Sequence, residues 1–273
     1  MEGDDPTSAA VAAPDPVAIV EAGSVVLAEA SSQVPGFFGI VSRDLVIAAT
    51  GLPFAPGNSV SNTRLAPDSA DARIDEVIAW FDERGLPFVW HLGPADEPAD
   101  LEDRLLAKGL ALDPDEMPGM AAPLTSLPPV ELPRGGTIEA VRSESAFRAW
   151  LDVMVAGFGM PAEVGDAFMK FAALGFDDGQ PTRMLLARLD GRPVATALGV
   201  LAGGGLIVAN VTTVADARGR GFGGAVTQAA MHAGAEAGAT VAVLQSTEMG
   251  RSVYRRLGFE EFGRYSDLVS LGE

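Results

Sequence analysis

The stretch Leu206-Ile207-Val208-Ala209-Asn210-Val211-Thr212-Thr213-Val214, followed closely by Arg218-Gly219-Arg220-Gly221-Phe222-Gly223-Gly224, decides how the chain is read. The first part is a β-rich run; the second is a turn with many backbone N–H groups and little side-chain bulk. A helical pattern then continues to about Ala237, an apolar strand covers 240–244, and a short helix ends in Tyr254-Arg255-Arg256-Leu257-Gly258-Phe259. A glycine turn that opens onto a helix N-terminus offers unpaired amides and the positive end of the helix dipole. Such a turn holds a phosphate or pyrophosphate.

Just upstream, residues 193–215 carry no charge and are numerous enough to span a bilayer. Gly203-Gly204-Gly205 stands at the centre of that segment, and Thr196, Asn210, Thr212 and Thr213 are spread along it. Two β-rich runs, 194–200 and 206–214, about a glycine turn read as a buried hairpin rather than a membrane span.

Composition narrows the classes. The chain has 273 residues, 48% of them hydrophobic, enough for one large domain or two small ones. With 37 acidic against 19 basic side chains the formal charge is -18, which disfavours nucleic acid and anionic membranes and favours cationic small molecules. There is no cysteine, so disulfides, thiolate metal sites and a cysteine nucleophile are excluded, and two distant histidines, His91 and His232, do not suggest a metal site. Residues 1–16 are acidic and Ala/Pro-rich and lack the charged and apolar regions of a secretory signal; a disordered tail is expected there, and a cytoplasmic location.

In chain order, β-rich runs at 39–47 and 60–65 predict two antiparallel strands. Apolar Ile74, Val77, Ile78 and Phe81 predict an amphipathic helix over 70–84, stopped at Gly85. A strand at 88–92, a helix at 101–108 closed by Gly109, and a strand at 117–124 follow. The proline-rich segment 125–136 reads as a linker between a first unit, 17–124, and a second, 137–273. Beyond it are a strand at 138–141, a helix over 143–156 capped by Ser143 and broken by Gly157 and Gly159, and a helix over 163–174. Strands at 184–189 and 262–270 complete the second unit.

Helix, strand and helix recur in the same order in the two halves, each followed by a Gly-Leu or Gly-Phe pair: Gly109-Leu110 in the first, Gly258-Phe259 in the second. The first half has Pro67-Asp68-Ser69-Ala70-Asp71 where the second has its glycine turn. Asp68 and Asp71 would cap that helix and repel a phosphate, so the first copy has no nucleotide site.

Arg218-Gly219-Arg220-Gly221-Phe222-Gly223 resembles the Arg/Gln-x-x-Gly-x-Gly/Ala turn of the GNAT superfamily of acyl-CoA-dependent N-acyltransferases. The segment from Leu244-Gln245-Ser246-Thr247-Glu248 through Tyr254 to Gly258-Phe259 resembles the second signature of that superfamily, at the expected spacing. The resemblance covers 137 to the C-terminus, with the first half as a degenerate second copy. It implies an α/β (α+β) fold of two tandem GNAT-like lobes, each a mixed, mainly antiparallel sheet flanked by helices. It implies acetyl-CoA as co-substrate, no metal, and a small-molecule or peptide amine as acceptor, in a monomer or homodimer.

By the same resemblance, Arg218, Gly219, Arg220, Gly221, Phe222, Gly223 and Gly224 hold the pyrophosphate, and Val211, Thr213 and Val214 pair their backbone with the pantetheine amides. Ser246 and Ser252 join the coenzyme set. Tyr254 matches the family tyrosine that protonates the departing thiolate. Phe158, Asn210 and Glu248 are expected on the acceptor side, with Met160 and Phe168 shaping the pocket. The base departs from the family: where many members place Glu or His on the strand before the turn, this chain has Ile207 and Ala209. Asn210, Thr212, Glu248, Glu144, Glu163 and Asp166 are the polar groups left for that task, while His91 and His232 read as structural.

A dinucleotide fold competes, because Gly219-x-Gly221-x-x-Gly224 satisfies Gly-x-Gly-x-x-Gly. That fold needs the first glycine directly after its strand and an acidic residue ending the next strand. Here Ala215-Asp216-Ala217-Arg218 intervenes and the next strand ends in Leu244-Gln245-Ser246. A coenzyme-binding protein without catalysis is the other alternative, motivated by the missing strand carboxylate.

Overall fold

The computed structural model describes residues 13–115 and 117–270. Its first element is a helix the sequence patterns did not announce, α1 (Pro16–Ser32), capped by Asp15, whose carboxylate accepts from the Val17 N–H, with proline in the first turn. The expected tail therefore ends before Pro16, and residues 1–12 lie outside the described residues. The run 39–47 is two strands, β1 (Phe38–Val41) and β2 (Val46–Ala49), because Ser42-Arg43-Asp44 turns the chain: the Ser42 hydroxyl donates to the Leu45 carbonyl. They continue as a meander into β3 (Asn58–Ser61).

Helix α2 (Ala70–Asp82) buries Ala70, Ile74, Val77 and Phe81, the face its spacing predicted. Its cap differs from expectation: Ser69 is the capping residue and makes no side-chain cap bond, while Asp71 pairs with Arg104. Strand β4 (Val89–Leu92) then runs parallel to β3. Helix α3 (Leu101–Ala107), a short unanticipated β5 (Leu110–Leu112) and β6 (Met117–Pro123) end this half.

After the proline-rich 125–136 come β7 (Gly136–Ala140) and α4 (Glu144–Phe158), capped by Ser143 as expected. Gly157 does not break α4; the helix runs through it to Phe158 and is capped by Gly159, and the glycine at 157 answers to packing, since a Cβ there would strike Thr212. Helix α5 (Ala162–Phe168) tightens into a 3-10 segment at Met169–Leu174. Strands β8 (Thr182–Leu189), β9 (Arg192–Ala202) and β10 (Gly205–Thr213) form an antiparallel meander, turned at Gly203 and Gly204. Then follow α6 (Phe222–Glu236), β11 (Val241–Gln245) parallel to β10, α7 (Glu248–Arg256) and the long β12 (Glu260–Ser270).

The twelve strands of the described residues make one continuous sheet, in the order β1-β2-β3-β4-β12-β6-β11-β10-β9-β8-β7 with β5 also on β12. Sequence order and spatial order part company at its centre. β6, from the first half, inserts beside β11 of the second, and the distal part of β12 pairs with β4 of the first: Ser266 lies opposite Leu92 and Leu268 opposite Trp90. β6 and β12 also pair with each other, so the halves exchange their final strands. The proline-rich segment lies against α6, where the Gln228 amide donates to the Pro128 carbonyl and His232 Nε2 approaches the same oxygen at 2.8 Å.

Two cores back the sheet on one face, one gathering Trp90, Phe81, Phe88 and Leu268 under α2 and α3, the other Phe222, Met231, Leu244 and Phe259 under α6. A third places Trp150, Met154 and Phe147 of α4 over Leu186. Helix α1 crosses between the halves, contacting β1 and β2 as well as β9, β10 and β11.

Candidate functional site

Strands β10 and β11 are paired only at Leu206 with Ala242 and Ile207 with Val243. Beyond Ile207 they diverge, leaving the outer backbone edge of β10 without a partner strand. On its other edge, β10 loses register with β9 between Ala209 and Thr212: two residues, Asn210 and Val211, face the single Ala197. Asn210 sits there at φ +49, and its carbonyl accepts from the Thr196 hydroxyl. This is a β-bulge, and it sharpens the twist that opens the strands.

A 3-10 turn at Ala215–Ala217 carries the chain from β10 to the glycine turn. Gly219 and Gly221 take φ +72 and +91, conformations that a side chain would strain. Gly221 caps α6 without any side-chain acceptor, so the N–H groups of the first helical turn are left without a side-chain cap. The space before them is open: a Cβ at Gly219 would meet nothing within 4 Å, and one at Gly223 only the Thr213 hydroxyl at 3.6 Å. Open volume, uncapped amides and a helix dipole together suit an anionic diphosphate.

Both features face one cleft of about 1300 Å³. It runs from the glycine turn along 207–213 of β10, past Tyr254, and across to α1 and the ends of β3 and β4. Tyr254 stands on α7 with its ring edge-on to Phe259, centroids 5.9 Å apart. Burial pushes its phenol up to about 12, so it is fully protonated at neutral pH. Arg218 and Arg256 line the cleft with Glu131 toward the coenzyme end, and Glu21 and Asp96 line it on the α1 side.

A model of the FR47-like protein family matches residues 190–266, from the turn before β9 into β12. Among solved structures, the chain is similar to a GCN5-related N-acetyltransferase from Kribbella flavida, with 22% identity over 92% of this chain and 96% of that one and a TM-score of 0.70. It is similar to a GCN5-related N-acetyltransferase from Sphaerobacter thermophilus, at 19% identity over 94% of each chain and a TM-score of 0.62. It is also similar to a tandem GNAT protein from the clavulanic acid biosynthesis pathway, 13% identical over 94% of this chain and 97% of that one, TM-score 0.60. The fold is that of the GNAT superfamily. A search of curated proteins finds no sequence match.

On this GNAT fold the expected site residues divide into two groups. Val211, Thr213, Arg218, Gly219, Gly221, Phe222, Gly223, Gly224, Tyr254, Phe158 and Asn210 all line the cleft. Val214, Arg220, Ser246, Ser252 and Glu248 are not among the lining residues. The Val214 N–H is already donated to the Val194 carbonyl, and Ser246 is fully buried with its hydroxyl given to the Thr247 carbonyl. Phe222 contributes backbone only, since its ring is 1% exposed in the core. Arg218 is not a free cation: its Nε donates to the Thr213 carbonyl and its Nη2 to the Gly157 carbonyl, tying the end of β10 to the end of α4.

Four lining groups escaped sequence reasoning, Glu21, Asp96, Arg256 and Tyr265, and His91, read there as structural, also lines the cleft. His91 Nδ1 lies 2.6 Å from Asp267 Oδ1 across the β4–β12 ladder. The buried Asp96 carboxylate accepts from the Thr63 N–H at 2.6 Å and the Gly93 N–H at 2.7 Å; burial holds its pKa above the ordinary range despite those bonds. The available signal was rarity: Tyr265 is one of only two tyrosines in the chain.

Proposed function

We propose that the protein is an acetyl-CoA-dependent N-acetyltransferase acting on a small-molecule amine, with the glycine turn of the second half as its coenzyme site. One observation carries this: the uncapped start of α6 and the unpaired edge of β10 face the same cleft as Tyr254. Amides at the turn hold the pyrophosphate, and the pantetheine adds to the β10 edge as an extra strand. The amine nitrogen attacks the thioester carbonyl carbon and the C–N bond forms; the C–S bond breaks as the thiolate takes the Tyr254 proton, and the surplus proton on nitrogen passes to solvent, which reprotonates the Tyr254 phenolate. Backbone donors freed by the Asn210–Val211 bulge stabilise the oxyanion.

Two GNAT-like lobes, 17–124 and 137–273, compose the chain, and the second is the competent one. In both, an antiparallel meander is followed by a helix and a parallel strand, which supports a duplication. The first lacks the glycine turn ahead of its helix. We read the protein as a cytoplasmic enzyme; among the described residues no helix is long and apolar enough to cross a membrane.

A second reading, coenzyme binding without transfer, is favoured by one observation, the apolar Ile207 and Ala209 where a base is expected. Calorimetric titration with acetyl-CoA, and with NADH as control, separates binding from none. Thiol release with amine acceptors then separates the two readings. A Tyr254→Phe variant that binds acetyl-CoA normally but loses turnover supports transfer, whereas no thiol release from the wild type with any primary amine supports binding alone.

A further inference from the structure

Tyr265 is 5% exposed, its hydroxyl has no hydrogen-bond partner among the described residues, and it lines the cleft. Its ring is closely seated: a Cβ at Gly93 would meet it at 2.9 Å and one at Gly119 at 2.5 Å, so glycines just after β4 and within β6 stand against its two edges, and Phe262 packs at 6.1 Å. A phenol oxygen buried without a partner costs stability, and a phenylalanine would fill the same space without that cost. Such a group persists where a ligand completes it.

Its surroundings set the ligand's chemistry. Glu21 of α1 and Asp96 both pair with the single guanidinium of Arg64. Among the described residues Asp267, two residues along β12, pairs with His91 and with no permanent cation. Two lining carboxylates, Glu21 and Asp96, share that one guanidinium, which leaves this end of the cleft negative, so it favours a cation and repels an acid. Burial and the carboxylates of Glu21, Asp96 and Asp15 also hold the Tyr265 phenol above the ordinary tyrosine range, keeping its proton available for donation.

We propose that the face of the cleft built from α1, β4 and the distal part of β12 is the acceptor subsite, where the Tyr265 hydroxyl donates to an oxygen of a cationic amino compound bearing a hydroxyl group, an amino alcohol or amino sugar. This deepens the acetyltransferase reading and rests on it. An amine without the hydroxyl leaves the phenol unpaired, and sites built to hydrogen-bond a hydroxyl discriminate strongly against analogues lacking it.

The test compares wild type with Tyr265→Phe in three measurements. In the free protein the variant melts at the same temperature or higher; a lower melting temperature assigns the hydroxyl a structural bond and overturns the subsite. Acetyl-CoA binds both forms equally by calorimetry; failure of the wild type to bind it removes the coenzyme reading. Glucosamine and cyclohexylamine are then titrated into each form, with and without saturating coenzyme A. The wild type binds glucosamine at least tenfold more tightly, and the variant loses that preference. No binding of glucosamine, equal affinities in the wild type, or a preference kept by the variant each overturns the proposal. Because the amine titration is also run without coenzyme, it judges the subsite even where the coenzyme reading fails.

Discussion

His91 and Asp267, separated by 176 positions in the chain, meet side chain to side chain at 2.6 Å. They sit directly opposite on β4 and β12, so the contact fastens the first half to the last strand of the second. His91 is 37% exposed, which limits its value. Asp267→Ala is expected to lower stability by about 1 kcal/mol, or roughly 2–4 °C in melting temperature for a chain of this size. Thermal denaturation followed by circular dichroism checks it; an unchanged midpoint means the pair contributes nothing to the seam.

The glycine turn separates two kinds of requirement. Gly223→Asp leaves room for its Cβ but places a carboxylate where the coenzyme's phosphates are proposed to lie. Acetyl-CoA affinity should fall at least 100-fold with melting unchanged. Gly221→Ala acts on the backbone instead, because φ +91 strains a residue with a Cβ by about 1–3 kcal/mol. Calorimetry and melting curves on both variants tell the effects apart.

Arg218 and Arg220 are two residues apart and should behave oppositely. Arg218→Ala removes donors to the Thr213 and Gly157 carbonyls and is expected to cost about 1–3 kcal/mol of stability, loosening the cleft. Arg220 is exposed and makes no ion pair among the described residues. Arg220→Ala should leave stability alone and weaken acetyl-CoA a few-fold, by a factor that shrinks as salt is raised. Loss of salt-sensitive affinity in Arg218→Ala alone would transfer the phosphate role to that residue.

Tyr254 gives a pH signature. Its phenol ionises near 10 when unfolded and is raised to about 12 in the fold, so the folded state favours the neutral form. The associated stability is fully present below pH 10 and is lost as pH rises from 10 through 12, up to about 3 kcal/mol at two units. Urea unfolding between pH 9 and 12 should show that decline in the wild type, with a shallower one in Tyr254→Phe. Turnover, on the same grounds, should show no loss of the tyrosine proton below pH 10.

Much of this was legible because local chemistry and tertiary role agreed. Ile74, Val77 and Phe81 face one core and repeat at the helical period, so α2 could be read directly. Likewise the glycine turn, α6 and Tyr254 follow one another in sequence and share one cleft. Helix α1 was not legible for the opposite reason. It contacts strands of both halves, so apolar residues surround it and no polar face marks the period. Tyr265 and Asp96 were hidden because their meaning comes from partners in other elements: Gly93 and Gly119 around the ring, Thr63 and Gly93 around the carboxylate. Gly157 was misread as a helix stop because sequence cannot reveal that Thr212 presses against it.

The exchange of β6 and β12 also fixes an order of events during synthesis. When the ribosome has made β4, the strand that will cover one of its edges is still some 170 residues away. Until β12 emerges, that edge stays unpaired and Leu268 is missing from the core that holds Trp90 and Phe88. The first half cannot mature ahead of the second, and contacts of such sequence separation are slow to form. A nascent chain stalled before β12 should therefore be the species that chaperones hold and that aggregates when they are scarce.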